Sequence, residues 1–159
     1  MNTAQEKLIS DLLNPFKLNY FFLTQLPAAW FMGVRLKTFT EEKAEVSLKY
    51  SWWSKNPYRS TYFAAQCAAG EFSTGVLATL ALAGQPSVAI LVTNQEATFS
   101  KKASDVTTFT CSEGAAVQAT VQRAIETKQP QSIRMTSIGT NKAGQEVSRI
   151  YITWSFKAR

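Results

Sequence analysis

The chain has 159 residues, and 45% of them are apolar while 18% are charged, which supports a packed core and excludes global disorder. Its formal net charge is +6, and it contains no histidine, which excludes Ser-His-Asp and Cys-His catalysis and every His-ligated metal site. Its two cysteines, Cys67 and Cys111, are too few for a disulfide framework or a four-cysteine zinc site, so we expect both to be small buried residues and not nucleophiles.

The start of the chain does not have the pattern of a secretion signal. Glu6, Lys7 and Asp11 interrupt its apolar residues. No apolar run reaches the roughly 18 to 20 residues that a membrane span needs. We therefore expect a cytoplasmic, soluble protein. The basic residues are scattered singly and in pairs and form no stripe, so we expect no nucleic-acid partner.

Residues 1–29 predict an N-terminal helical segment. Thr3 and Glu6 have the spacing of a capping box, and the apolar residues that follow recur at helical spacing. A second amphipathic stretch, residues 16–25, ends before Pro27. We expect this second stretch to cover the end of the core or an edge of the sheet.

Residues 30–157 predict an α+β core, and we expect the whole chain, 1–159, to be one domain. Residues 32–39 and 44–50 predict two strands, and residues 58–83 predict a long helix that is apolar almost all round. Because Gly70 and Gly75 lie inside this helix, we expect close packing there. Residues 87–99, 105–111, 131–138 and 146–156 predict four more strands, and Ser112 caps a helix inserted among them. A sheet of this size should curl around the long helix.

Glu71 is the only charged residue between positions 62 and 83. A charge on an apolar helix is costly to bury unless it is paired or used, and burial raises the pKa of a carboxyl toward values suited to a general base. The start of the helix offers backbone N–H groups without helical partners, which can bind an oxyanion. Gln66 adds an amide to the same helix. The alternative is that Glu71 is solvated or paired with a basic residue.

Residues 56–64 read NPYRSTYFA and lead into the long helix. This segment resembles the Asn-x-x-Gly-x-x-His-Gly-Gly entry to the helix in phenylacetic-acid-type thioesterases of the hotdog superfamily, where an acidic residue follows the His by nine positions. Here Tyr62 stands at the His position and Glu71 at the acidic one. Residues 92–105 resemble that family's third strand and the following turn. Over residues 30–157 the chain is similar to hotdog acyl-CoA thioesterases, and closest to a poorly characterised branch, a domain of unknown function.

The chain departs from the family pattern at four positions. Arg59, Tyr62, Phe63 and Ala64 replace Gly, His, Gly and Gly. Because the glycines let the backbone approach a thioester closely, larger side chains could narrow the pocket, change the substrate or abolish catalysis. The helix between positions 111 and 128 is an insertion relative to the minimal fold.

The resemblance implies hydrolysis of an acyl-CoA thioester. Glu71 would be the general base or the nucleophile, and Asn56 and Gln66 would orient the water or the carbonyl. The oxyanion hole would be formed by the backbone N–H groups of Tyr62, Phe63 and Ala64.

The resemblance also implies the partners. Two subunits pair and complete each other's sites, as a homodimer or a dimer of dimers. Coenzyme A enters as part of the substrate, and no separate cofactor or metal is expected. The substrate would be bound by Lys101, Lys102, Phe99 and Trp53, with Arg134 or Lys142 as further candidates for the phosphates.

Several alternatives remain. Each lysine is compatible with an ordinary solvated charge. Trp52, Trp53 and Tyr58 line an acyl tunnel or simply pack the loop onto the sheet. The protein could bind acyl thioesters or fatty acids without turning them over. A dehydratase is weaker, because those hotdog enzymes use a His-acid pair and this chain has no His.

Overall fold

A computed structural model describes residues 1–159 and contains five helices and six strands. The helices are α1 (Thr3–Leu13), α2 (Pro15–Gln25), α3 (Pro27–Met32), α4 (Phe63–Leu82) and α5 (Gly114–Thr127). The strands are β1 (Val34–Phe39), β2 (Ala44–Lys49), β3 (Val88–Phe99), β4 (Val106–Cys111), β5 (Gln131–Thr140) and β6 (Glu146–Ala158). None of the helices combines the length and apolar character that a membrane crossing requires.

The six strands form one curled antiparallel sheet in the order β1-β2-β4-β5-β6-β3. The predicted α+β class is confirmed, and each predicted strand agrees with the structure to within two residues at either end. β3 is an edge strand of 12 residues, whereas the other edge strand, β1, has 6 residues, carries a bulge between Leu36 and Thr38, and contacts α1 and α3. The two edges of the sheet therefore differ in length and in cover.

The apolar core contains 27 buried residues, from Leu12 in α1 to Phe156 in β6. In β2 the predicted inward face is confirmed, because Ala44, Val46 and Leu48 are each 0% exposed, although Ser47 on the other face is also buried. The core thus joins the N-terminal helices to the sheet.

The helix α4 packs on the sheet through small residues and one buried hydrogen bond. A Cβ atom at Gly70 would lie 2.6 Å from Cγ1 of Ile150 in β6, so only glycine permits this close contact. The indole Nε1 of Trp154, also in β6, donates to Oγ1 of Thr74 at 3.0 Å. The close packing expected at Gly70 is confirmed, and these contacts fix which residues of α4 face away from the sheet.

The predicted long helix begins five residues too early, because α4 starts at 63 and not at 58. The preceding residues form a loop held by hydrogen bonds that compete with a helix. Oδ1 of Asn56 accepts from the N–H of Tyr58 at 2.9 Å, and the N–H of Tyr62 donates to the carbonyl of Ser54 at 2.7 Å. The aromatic residues of the loop continue the apolar run, so the pattern alone does not mark the boundary.

The N-terminal segment has three helices instead of the two predicted, since α3 begins at Pro27, where the sequence predicted only an end. The predicted capping box is wrong by one residue. Oδ1 of Asn2, not Thr3, accepts from the N–H of Gln5 at 2.9 Å, and Oε1 of Gln5, not Glu6, accepts from the N–H of Asn2 at 2.9 Å. Two overlapping capping pairs stand in the sequence, and the first one forms.

The inserted helix α5 is present, but Ser112 is not its cap. Glu113 occupies the N-cap position and makes no side-chain cap bond. The helix instead begins where Gly114 meets the turn between β1 and β2: its N–H donates to the carbonyl of Glu42 at 3.0 Å, and a Cβ there would lie 2.0 Å from the Glu41 oxygen. This long-range contact replaces the local cap.

Candidate active site

Glu71 lies on α4 and faces a cavity of about 210 Å³. The rest of the lining is mainly apolar and comes from α1, α2, α4, β3 and β6. The side chain is partly buried, no hydrogen bond or ion pair reaches its carboxylate, and burial raises its pKa above the ordinary value. The carboxylate is therefore neither in bulk solvent nor neutralised by a basic residue.

Gly75 makes room for the Glu71 carboxylate. It lies one turn after Glu71 on α4, and a Cβ there would stand 3.2 Å from Oε1 of Glu71 and 3.2 Å from Cζ2 of Trp154. Any larger residue would press the carboxylate and the indole apart. The close packing expected at Gly75 is confirmed.

A second cavity, of about 420 Å³, lies at the start of α4 and is largely polar. It brings together six of the residues predicted for the site: Asn56, Phe63, Gln66, Phe99, Lys101 and Lys102. The aromatic rings of Phe63 and Phe99 meet here, with their centroids 6.3 Å apart. The end of β3 and the first turn of α4 are thereby held together.

Gln66 supplies a free acceptor to this polar cavity. The residue is 5% exposed, and its Nε2 donates to the carbonyl of Thr61 at 3.2 Å. Its Oε1 is buried and has no hydrogen-bond partner, and the same is true of Oγ1 of Thr61. Because an unpaired buried polar atom costs about 1–3 kcal/mol, a ligand that donates to these atoms would recover that energy.

The other polar residues of the cavity are engaged to different degrees. Oδ1 of Asn56 already accepts from two backbone N–H groups of the loop, so its amide mainly holds the chain in place. Nζ of Lys102 donates to the carbonyl of Tyr58 at 3.2 Å. Lys101 is exposed and makes no ion pair or hydrogen bond through its side chain, which leaves its charge available to a ligand.

The start of α4 offers two backbone donors, not the three expected. The N–H of Tyr62 is taken by the carbonyl of Ser54. The N–H groups of Phe63 and Ala64 have no acceptor in the chain and lie in the first turn of the helix, where the dipole favours a negative charge. Arg59, at the position of the first family glycine, has a φ of 58°. It thus keeps the left-handed conformation that glycine would adopt without strain.

Glu71 and these donors lie too far apart to act on one carbonyl within a single chain. Eight residues separate Phe63 from Glu71, which corresponds to about 12 Å along the helix. The two cavities also share no lining residue. The structure therefore separates the predicted site into an apolar part around Glu71 and a polar part at the helix start.

Three predicted contacts lie outside both cavities. Trp53 is 65% exposed and packs against Phe31, with ring centroids 6.0 Å apart. Arg134 pairs with Glu96 and lies over the ring of Tyr151. Lys142 stands in the exposed turn between β5 and β6.

The cysteines lack the setting of nucleophiles. Burial raises the pKa of the Cys111 thiol to about 12, and burial also raises the pKa of the Cys67 thiol. No group of three or more His, Cys, Asp or Glu side chains is placed to hold a metal ion.

Sequence reasoning missed the N-terminal residues that face Glu71. The Glu71 cavity is lined by Leu8 and Leu12 of α1, by Phe21 of α2, and by Leu26, which directly follows α2. The spacing of Leu8 and Leu12 predicts a buried helix face, but nothing local indicates that this face covers Glu71.

A family model described as a domain of unknown function, DUF4442, matches residues 17–156. The chain belongs to this family. No curated protein matches it. The resemblance to a poorly characterised branch of the hotdog thioesterases is confirmed at the level of family and fold.

Solved structures share this DUF4442 chain's fold at low sequence identity. One is a protein of unknown function from Pseudomonas aeruginosa, named a probable thioesterase, with 12% identity, a TM-score of 0.75, and coverage of 92% of this chain and 97% of that one. A Chlorobaculum tepidum protein of unknown function has 13% identity, a TM-score of 0.76, and coverage of 98% and 94%. A thioesterase from Haemophilus influenzae has 11% identity, a TM-score of 0.65, and coverage of 91% of both chains.

Proposed function

We propose that this protein hydrolyses acyl-CoA-type thioesters and that Glu71 is its general base or nucleophile. The observation that carries the proposal is the unpartnered Glu71 carboxylate in an apolar cavity, with Gly75 leaving space beside it. A carboxylate in such a setting is held without a charge partner, which disfavours its ionised form and makes it a stronger base. The fold shared with proteins named thioesterases supports this reaction class.

In the general-base form, Glu71 takes a proton from water while the water oxygen attacks the thioester carbonyl. The carbonyl oxygen becomes negative, and collapse of the intermediate breaks the C–S bond. The products are the carboxylic acid and the thiol, whose sulfur receives the proton from Glu71. In the nucleophile form, the Glu71 carboxylate attacks the carbonyl carbon, and the C–S bond breaks as the thiolate leaves. Water then hydrolyses the mixed anhydride, which releases the carboxylic acid, regenerates the Glu71 carboxylate and supplies the proton that the thiolate takes up.

We infer that two subunits share each site, because about 12 Å of helix separates the backbone of Phe63 from that of Glu71 within one chain. The edge strand β3 is long and bears the exposed apolar residues Ile90 and Val92 on one face. If β3 pairs with its copy about its midpoint, Val88 lies opposite Phe99 of the partner subunit. Phe99 contacts Phe63, so this pairing brings the start of the partner's α4 beside the Glu71 cavity.

The polar cavity at the start of α4 would then bind the head of the substrate. Lys101 and Lys102 offer two positive charges to the phosphates of coenzyme A. Gln66 and Thr61 offer unpaired acceptors to its N–H and O–H groups. Asn56 would act by holding the loop. In this arrangement α4 is the central helix of a hotdog domain that spans the chain.

The second candidate is binding of acyl thioesters or fatty acids without turnover. It is favoured by the residues at the helix entry, where Tyr62, Phe63 and Ala64 stand in place of His and two glycines. Phe63 is 56% exposed and lines the polar cavity at the start of α4. If its side chain blocks a carbonyl from reaching the free N–H groups of Phe63 and Ala64, the protein binds but does not hydrolyse.

The deciding experiment is Glu71→Gln measured with a panel of acyl-CoA substrates and thiol detection. We expect kcat to fall about 10²–10⁴-fold, the usual contribution of a general base. In the unmodified protein kcat/KM should rise with pH through an apparent pKa above the ordinary 4.5 of glutamate, because burial raises the pKa of Glu71 and the base must be ionised.

The matched control is Glu126→Gln, an exposed carboxyl on α5, which should keep full activity. Undiminished hydrolysis in Glu71→Gln would remove Glu71 from the mechanism. Binding of the panel by the unmodified protein without any thiol release would favour the second candidate.

A further inference from the structure

The N-terminal helices form a wall of the Glu71 cavity although they precede the first strand of the sheet. Leu8 and Leu12 of α1 and Phe21 of α2 line the cavity of about 210 Å³ that holds Glu71. The same three side chains also line a third cavity, of about 500 Å³. These side chains are thus the partition between the space at Glu71 and a larger space between α1 and α2.

The larger cavity is also apolar and leads to solvent. Phe16 and Tyr20 of α2 line it and are 88% and 71% exposed, which marks its open end. Its only charged lining residues, Asp11 and Lys17, pair with each other. From the Glu71 carboxylate outward, a ligand would therefore meet mainly apolar side chains.

The partition contains one movable group. Leu8 is only partly buried and can change rotamer without unpacking the sheet. The helices themselves are fixed, because Nε2 of Gln5 ties α1 to the Leu80 carbonyl of α4 at 3.2 Å. Phe21 and Phe22 of α2 pack on Phe72 of α4, with ring centroids 6.4 and 5.0 Å apart. The walls are rigid, and side-chain rotation alone can join the two spaces.

We propose that α1 and α2 form an acyl-chain subsite that accepts an unbranched aliphatic chain and that Leu8 sets its length. This inference rests on the proposed function, since it places the reacting carbonyl at Glu71. A flexible chain can follow a path bent around Leu8, Leu12 and Phe21, whereas a rigid ring system cannot bend along it. The substrates would be thioesters of medium or long straight-chain fatty acids.

The test uses the full-length protein with straight-chain CoA thioesters from butanoyl to hexadecanoyl and with phenylacetyl-CoA. Each methylene that enters an apolar site improves binding about fourfold, so kcat/KM should rise with chain length until the subsite is full. Leu8→Trp should block the passage and lower kcat/KM for dodecanoyl-CoA at least tenfold relative to butanoyl-CoA. Leu8→Ala should shift the optimum to longer chains.

The matched control is Leu13→Trp, on the same helix but 47% exposed and outside both cavities, which should leave the chain-length profile unchanged. Calorimetric titration with dodecanoate and phenylacetate gives a readout that does not depend on hydrolysis. We expect dodecanoate to bind more tightly, and Leu8→Trp, but not Leu13→Trp, to weaken it at least tenfold.

The outcomes separate the two proposals. Hydrolysis with the same chain-length profile in Leu8→Trp and Leu13→Trp would overturn the subsite and leave the thioesterase intact. Dodecanoate binding that Leu8→Trp abolishes, without hydrolysis of any thioester, would support the subsite and overturn the thioesterase. A preference for phenylacetyl-CoA would overturn the aliphatic assignment.

Discussion

The two cavities on α4 differ in almost every physical respect. The one around Glu71 is apolar, holds a single carboxylate and is walled by the N-terminal helices. The one at the start of α4 is polar, carries Lys101 and Lys102 and contains unpaired buried oxygens. The first suits a fatty chain and a base, and the second suits a charged carrier. Under the proposed function the two cavities are complementary parts of one site, and two copies of the chain would bring them together.

The largest expected effect comes from preventing the two parts from meeting. Val92 lies two residues after Ile90, which lines the Glu71 cavity. Val92 is therefore on the face of β3 that is directed toward α4. Val92→Lys should place a charge where the partner's strand packs. We expect a monomer by sedimentation and a loss of about 10²–10³-fold in kcat/KM, the usual effect of losing oxyanion donors.

The matched control for this change is Leu91→Lys, the neighbouring exposed residue on the opposite face of β3, which should keep the dimer and most of the activity. A Val92→Lys variant that is monomeric and fully active would show that the two cavities do not need a second copy.

The next effect concerns the space beside the Glu71 carboxylate. Gly75→Ala places a methyl group 3.2 Å from Oε1 of Glu71 and from the Trp154 ring. Because the carboxylate is the movable group, we expect kcat to fall about tenfold, while the melting temperature changes little since alanine favours the helix by about 1 kcal/mol. Gly70→Ala should show the reverse pattern, because its methyl would collide with Ile150 and lower stability. Equal activity in Gly75→Ala and the unmodified protein would contradict a strict geometry at Glu71.

A smaller effect concerns the free energy of unfolding, which burial of the ionised Glu71 lowers. Burial raises the pKa of Glu71 in the folded protein, so below the unfolded value of 4.5 the residue is protonated in both states and costs nothing. As pH rises from 4.5 to the folded pKa, the unfolded chain ionises before the folded protein does, so the free energy of unfolding falls until Glu71 is ionised in both states. Glu71→Gln should therefore raise the melting temperature at pH 7, and the gain should vanish on acidification to about pH 4.5.

Thermal unfolding followed from pH 4 to pH 8 measures this difference, with Glu126→Gln as the exposed control. A melting temperature that falls at pH 7 in Glu71→Gln would mean that the carboxylate makes a stabilising contact.

The smallest effect lies in the loop before the polar cavity. Arg59 has a φ of 58°, and a residue other than glycine there stores about 1–2 kcal/mol of strain. Arg59→Gly should relieve that strain but also increase the conformational entropy of the unfolded chain. The free energy of unfolding, measured by denaturant titration, should therefore rise by a net amount of about 0.5–1 kcal/mol. Lys128→Gly, at the end of α5 with a φ of 53°, should behave alike. A loss of stability in both would show that side-chain contacts outweigh the strain.

Elements with a regular local pattern could be predicted from sequence. The alternation in β2 and the apolar faces of the other strands predicted all six strands. The single charge on an apolar helix drew attention to Glu71, which lines a cavity in the structure. These features depend on neighbours within a few residues, which the sequence displays directly.

Features that depend on distant residues could not be predicted. The start of α4 is set by the loop bond from Tyr62 to Ser54, and the start of α5 by the contact of Gly114 with the turn at Glu42. The cover of Glu71 by Leu8 likewise requires knowing how α1 returns over α4. In each case long-range packing decides what local propensity leaves open.

The unequal edges of the sheet would limit how far copies of this chain could assemble by pairing their strands. β1 is short, bulged and in contact with α1 and α3, while β3 is long and carries exposed apolar side chains. A sheet with two equally open sides could add subunits end to end and grow into a fibre. With only one side free to recruit a strand, association by this route saturates at a pair related by a twofold axis, and growth stops there.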